Sequence, residues 1–134
     1  NAACNLTAHI NTSNIITQQS DMIIIPAVIN NRFSSNFNPK RTNDIYIDLP
    51  TAYHFENEIT LEKEMQLDGG QVNKQYNTKY GSYALECTQI APNKVLIKRT
   101  LNIPQGKYAV SESKALYDFF QKITIADNSK IILK

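Results

Sequence analysis

Two cysteines, two histidines and two pairs of closely spaced glutamates are the residues of this chain best equipped for chemistry. A cysteine nucleophile needs a thiolate, a base beside it and a third group to orient that base. Cys87 stands between Glu86 and Thr88 in the middle of an alternating apolar segment, the setting of a small buried hydrophobe. Reactive cysteines favour helix N-termini and electropositive surroundings, and Cys87 has neither. Cys4 lies near the start of the sequence, where rigid positioning is hard. The two thiols could pair in an oxidising compartment or stay separate, and spacing does not decide between these. Neither cysteine has a second Cys or His at metal-finger spacing. His9 and His54 occupy separate segments with no partner histidine and no HExxH helix. Glu56/Glu58 and Glu62/Glu64 are i, i+2 pairs. On a strand such pairs share one face about 7 Å apart. That separation suits glycoside chemistry, but a mixed Glu/Lys strand facing solvent lacks the pocket it requires. These residues predict no catalytic, cofactor-binding or metal-binding site.

The elements that position them read mainly as β. Leu6–Ile10 alternates apolar and polar residues. Met22–Ile29 is a β-branched run broken by Pro26, which predicts an edge or a bulge there. Residues 30–43, rich in Asn, read as a loop anchored by Phe33 and Phe37. Asp44–Leu49 alternates strictly and stops at Pro50. Glu58–Leu67 alternates again, with Ile59, Leu61, Lys63, Met65 and Leu67 on one face. Asp68-Gly69-Gly70 then predicts a hairpin into Gln71–Tyr76. Tyr83–Ile90 and Lys94–Ile103 form the clearest pair, turning at Pro92-Asn93. In the second strand Val95, Ile97, Arg99, Leu101 and Ile103 share a face.

The period changes at Ser111. Leu116, Phe119, Phe120 and Ile123 fall at helical spacing, which predicts a helix over about 111–125, capped by Ser111 or Ser113. Lys130–Leu133 reads as a short last strand. The expected architecture is an antiparallel β-sandwich with that one helix across an edge or end, forming a single domain over 1–134. Alternating βα units, and with them a doubly wound sheet, are absent.

Composition narrows the function classes. Hydrophobic residues are 42% and charged residues 19% of 134, the make-up of a globular chain. No apolar run approaches the roughly 20 residues of a membrane-spanning helix. Net charge is only +2, which argues against nucleic acid. Residues 91–134 hold eight basic and three acidic groups, a basic stretch that includes Lys94, Lys98 and Arg99. Without interleaved aromatics it reads as a solvated Lys-rich surface. GxGxxG and GK[ST] patterns are absent. Asn5-Leu-Thr7 and Asn11-Thr-Ser13 match the short glycosylation pattern in a chain rich in Asn. Tyr76, Tyr80, Tyr83, Tyr108 and Tyr117 are read as cross-strand and core-edge residues, or alternatively as an exposed sugar- or protein-binding set.

Four stretches come in a recognisable order: Tyr80-Gly-Ser-Tyr83, Asn93-Lys-Val-Leu-Ile-Lys-Arg-Thr-Leu-Asn-Ile103, Tyr117-Asp-Phe-Phe-Gln-Lys-Ile-Thr-Ile-Ala-Asp127 and Ile131-Ile-Leu-Lys134. Together they resemble the C-terminal β domain of unknown function that follows the transglutaminase-like core in Bacteroidetes transglutaminase/protease-like proteins. The resemblance runs from about Asp44 to Lys134, with Gln71–Thr78 departing from the family's Leu-Pro pair. None of the matched motifs is catalytic. The core's Cys, His and Asp motifs lie upstream in that family and are not in this chain, so no active-site residue carries over. The resemblance implies a non-catalytic accessory or scaffolding domain, part of a larger periplasmic or secreted polypeptide, whose partner is the transglutaminase-like core. The alternative is an autonomous binding module using exposed tyrosines. Neither reading requires a cofactor.

Overall fold

The computed structural model describes residues 4, 6–10, 16–29, 33–70 and 72–134. The longest ladder is a four-stranded antiparallel sheet in the order β4-β7-β6-β5, formed by β4 (Thr51–Thr60), β5 (Val72–Thr78), β6 (Gly81–Ala91) and β7 (Lys94–Ile103). β6 and β7 make the expected hairpin about Pro92-Asn93, in register apart from one irregularity between Gln89 and Ala91. A three-stranded sheet orders β1 (Thr17–Gln19), β2 (Met22–Pro26) and β9 (Lys130–Leu133). A third pair joins β3 (Ile45–Ile47) to β8 (Gly106–Tyr108). It continues the β4·β7 ladder beyond a break on each strand. Pro50 and Pro104 sit at those breaks, and neither can donate to a ladder. The fold is thus mainly β in antiparallel sheets, with one C-terminal helix, α1 (Ser113–Asp127), and the expected short last strand.

Alternation decides which face of the large sheet is covered. Tyr83, Leu85 and Cys87 of β6 stand opposite Leu101, Arg99 and Ile97 of β7, and all six are buried. The helix supplies Leu116, Phe119, Phe120 and Ile123 to the same core, as its spacing predicts. Ile25, Ile131 and Leu133 of the three-stranded sheet join the cluster. Phe33 and Phe37 pack on Phe120, with ring centroids at 5.2 and 5.9 Å, and so anchor their loop as expected.

Several expectations give way to longer-range contacts. α1 packs on the covered face toward the β5 edge: Lys122 lies over Tyr76 of β5, and Asp127 reaches β6 and β7. The helix runs 113–127, behind a 3-10 turn at Val110–Glu112, and no serine caps it. Glu112 instead accepts from the Ala109 amide, and the Ser113 hydroxyl donates to the Val110 carbonyl. The strand expected over Glu58–Leu67 ends at Thr60. Beyond it the amides of Leu61 and Met65 donate to Asn93 and Pro92 carbonyls, so the chain wraps the β6–β7 turn. Leu61 and Met65 are buried as read, but by wrapping rather than by pleating.

The Asp68-Gly69-Gly70 turn exists, with φ of +80° and +79° at the glycines, but it joins no hairpin. β5 pairs with β6, β4 with β7, and Leu67 bridges to Leu133. Turn chemistry fixes a local bend and not the partner of the strand that follows. Pro26 closes β2 opposite Lys130, where its missing N–H matters least. Leu6–Ile10 is exposed and forms no strand. Asn5, Asn11-Thr-Ser13, Asn30, Asn31 and Gln71 lie outside the described residues.

Candidate functional site

Arg99 is the residue that sequence reasoning left in the wrong company. It counted among the surface cations, yet its side chain is 0% exposed. The pleat of β7 places it between Ile97 and Leu101 on the covered face, with Leu85 and Phe55 as its cross-strand neighbours. A guanidinium cannot lose its charge there, so it needs a buried anion. Asp127 supplies it. Arg99 Nε donates to Oδ1 at 2.8 Å and Nη2 to Oδ2 at 2.6 Å, a two-point fork. The Tyr83 hydroxyl donates to Oδ1 at 2.7 Å and the Phe33 amide to Oδ2 at 2.9 Å. Asp127 is the last residue of α1, where the helix dipole disfavours an anion. Four donors reverse that. Nη1 of Arg99 has no hydrogen-bond partner among the described residues. The guanidinium carbon lies 5.5 Å from the Tyr83 ring centre and 5.9 Å from that of Phe55.

The cluster is built to hold a shape. Every oxygen of Asp127 is engaged from within the chain. Burial, and secondly the hydrogen bond to Asp127, push the Tyr83 phenol well above its ordinary range, so Tyr83 stays a donor. The signal for this cluster was an arginine within an alternating apolar strand. Its partner, 28 residues along the chain, left no signal of its own.

The other chemistry-bearing residues are scattered. Cys4 is exposed, Cys87 is buried, and both are free thiols, which settles the choice left open by spacing. Burial pushes the Cys87 thiol up to about 11, away from thiolate chemistry. His9 is exposed. His54 Nδ1 lies 2.9 Å from Thr100 Oγ1, and Nε2 lies 3.4 Å from Glu56. Glu56 and Glu58 lie on the open face of the large sheet, 3.7 Å from Lys98 and 3.0 Å from Lys94. Glu62 and Glu64 fall in the irregular segment after β4 and are exposed. No group of three His, Cys, Asp or Glu side chains able to hold a metal occurs among the described residues.

The five tyrosines do not form one exposed set. Tyr83 and Tyr80 are buried and the other three half-buried. Tyr76 stacks on Tyr83 at 5.9 Å, and Tyr80 meets Tyr108 edge-on at 5.0 Å. Tyr80 also donates to Glu112, which pairs with Lys79. The Lys79 ammonium, first among several contacts, holds the Glu112 carboxyl below its usual range. This group ties the β5–β6 turn to the start of the helix. Gly81 makes that turn possible, because a Cβ there would sit 2.3 Å from the Asn102 carbonyl oxygen. The exposed tyrosines are Tyr46 and Tyr53.

A depression of about 710 Å³ opens between Met65, Leu67, Gln89, Ile90, Pro92 and Lys134. Gln89 spans it, donating to the Met65 carbonyl at 2.5 Å and accepting from the Leu67 amide at 3.2 Å. Its polar groups serve the wrap around the β6–β7 turn. No helix among the described residues is long and apolar enough to cross a membrane.

No curated protein and no solved structure matches the chain. A family model does, over residues 21–133, which takes in the four-stranded sheet, β2 and β9, the helix and the Arg99–Asp127 cluster. On that match the chain belongs to the DUF3858 family, described as a domain of unknown function with a solved structure.

Proposed function

We propose that this chain is a non-catalytic accessory domain of a larger transglutaminase-like polypeptide, periplasmic or secreted, which acts by burying surface against the core of that polypeptide. The transglutaminase-like context comes from the ordered motifs between Tyr80 and Lys134. The observation that carries the non-catalytic part is the engagement of Asp127. Its oxygens accept four hydrogen bonds from Arg99, Tyr83 and Phe33 and have none to offer a substrate. Such a cluster fixes α1 against the sheet and gives a rigid platform. Glu56, Glu58, Glu86 and Lys98 lie on the open face of the large sheet, which is suited to contact.

The test is the size of the native polypeptide, probed in source cells with an antibody against this domain. A band far above 15.2 kDa is expected. A band at 15.2 kDa overturns the accessory reading. A second test adds the purified domain to the separately produced core and follows amide exchange. The reading expects protection of a contiguous surface on the domain, and none contradicts it.

A further inference from the structure

The large sheet has two edges, and they are treated differently. β5 is seven residues long and guarded. Its Lys74 stands opposite buried Leu85, a cation on the apolar side of the sheet. Lys122 of α1 adds a second ammonium 5.7 Å from the Tyr76 ring. Inward-facing lysines of this kind stop a further strand from pairing. The outer strands β1 and β3 have three residues each, and β9 is partly covered through Leu67.

β4 has none of these guards. It runs ten residues in unbroken register with β7, with no lysine, proline or bulge. Among the described residues it pairs on one side only. Every second residue therefore turns its N–H and C=O away from the sheet. Tyr53 lies opposite buried Leu101 yet is 51% exposed, so among the described residues this part of the edge stays open, while Phe55 and Ile59 on the same side are half-buried against the core.

The charges say what fits there. Along one row of the open face the signs alternate from strand to strand: Glu86 on β6, Lys98 on β7, Glu56 on β4. The next strand in that row continues the alternation with a cation. Two residues along, Glu58 asks for the same. On the other side of the pleat Tyr53, Phe55 and Ile59 offer apolar contact, with the polar Asn57 between the last two. A second copy of β4 is disfavoured in the registers centred on Glu56 and Asn57, which set Glu56 against itself or against Glu58.

We propose that β4 is a docking edge for an extended partner segment in which Lys or Arg alternates with apolar residues, added as a fifth strand. This rests on the accessory reading and names the contact through which the domain would act.

The test uses the 134-residue chain and capped, fluorescent (Lys-Val)5, with (Glu-Val)5 and two (Lys-Val)5 peptides, N-methylated at every Lys or at every Val, as controls. Anisotropy titrations are expected to show (Lys-Val)5 binding at least about fivefold tighter than (Glu-Val)5. The methylated peptide of whichever register places its methyls toward β4 is expected to lose binding. Glu56→Lys with Glu58→Lys reverses the charge preference, and Tyr53→Lys, which installs the guard that β5 carries, abolishes binding while leaving the melting temperature near that of the parent chain. Equal binding of both methylated registers and the parent peptide overturns strand addition. Equal binding of the acidic and basic peptides overturns the stated partner chemistry. Dimerisation blocked by Tyr53→Lys assigns the edge to a second copy and overturns the proposal. A large native polypeptide whose core protects another surface would sink the β4 edge and leave the accessory reading standing.

Discussion

Lys98 and Arg99 are neighbours in sequence, and the pleat of β7 sends them to opposite faces of one sheet. Lys98 stands in the open between Glu56 and Glu86. Arg99 is sealed between β4, β6 and the end of α1. Both cations have carboxylate neighbours, but water screens one pair and is excluded from the other. An exposed pair contributes at most about 1 kcal/mol. Breaking a buried pair leaves an uncompensated charge and costs several times that. The inner charges of this domain are therefore structural, and the outer ones are free to serve in recognition.

The sharpest way to break the contrast is at Asp127. Asp127→Ala strands the Arg99 guanidinium and removes the acceptor for Tyr83 and Phe33. Urea unfolding is expected to show a loss of about 3–5 kcal/mol, and a loss below 1 kcal/mol would mean that the inner pair is no more valuable than an outer one. Next comes the apolar packing around the cluster. Leu116→Ala and Phe120→Ala are each expected to cost about 2–5 kcal/mol. Unchanged melting midpoints for both would remove the helix from the core.

Alkaline pH separates the two faces more finely. The folded chain holds Cys87 protonated up to about 11, against an ordinary value of 9.0. A raised thiol value stabilises the fold fully below pH 9, and that contribution fades as pH climbs toward 11 because the unfolded chain ionises first. The loss from this one group is about 3 kcal/mol at most, and Cys87→Val is expected to flatten that part of the stability profile. An unaltered profile would place the alkaline sensitivity elsewhere. The smallest effect belongs to the open face: Lys98→Ala should shift stability by no more than about 0.5 kcal/mol. A shift above 2 kcal/mol would erase the distinction between Lys98 and Arg99.

Much of the fold was legible because its signals were local. The alternation of Lys94–Ile103 grouped Val95, Ile97, Leu101 and Ile103 on the face that is buried and set Arg99 among them, although its charge was read as a surface one, and the spacing of Leu116, Phe119, Phe120 and Ile123 gave the helix face. Pro92-Asn93 gave the β6–β7 hairpin, while the β1–β2 and β5–β6 hairpins went unread. The failures were failures of partnership. Nothing in Asp68-Gly69-Gly70 reveals that the strand after it pairs forward with β6 instead of backward. Leu61 and Met65 continue a strand-like alternation, yet their amides bond to a turn some 30 residues away, which no local pattern encodes. Asp127 reads as a helix-end residue in a turn; only the closed fold shows that it faces Arg99. The contrast between β4 and β5 as edges likewise needed the strand order before the placement of Lys74 had meaning.

The central claim is that Arg99 and Asp127 act as a clamp between sheet and helix, not as a site. A double-mutant cycle with Arg99→Met and Asp127→Leu, read by urea unfolding, tests it most directly. The account predicts that each single variant is strongly destabilised and that the double variant recovers much of the loss, with a coupling of about 2–3 kcal/mol. Additive losses, with a coupling below about 0.5 kcal/mol, would contradict it.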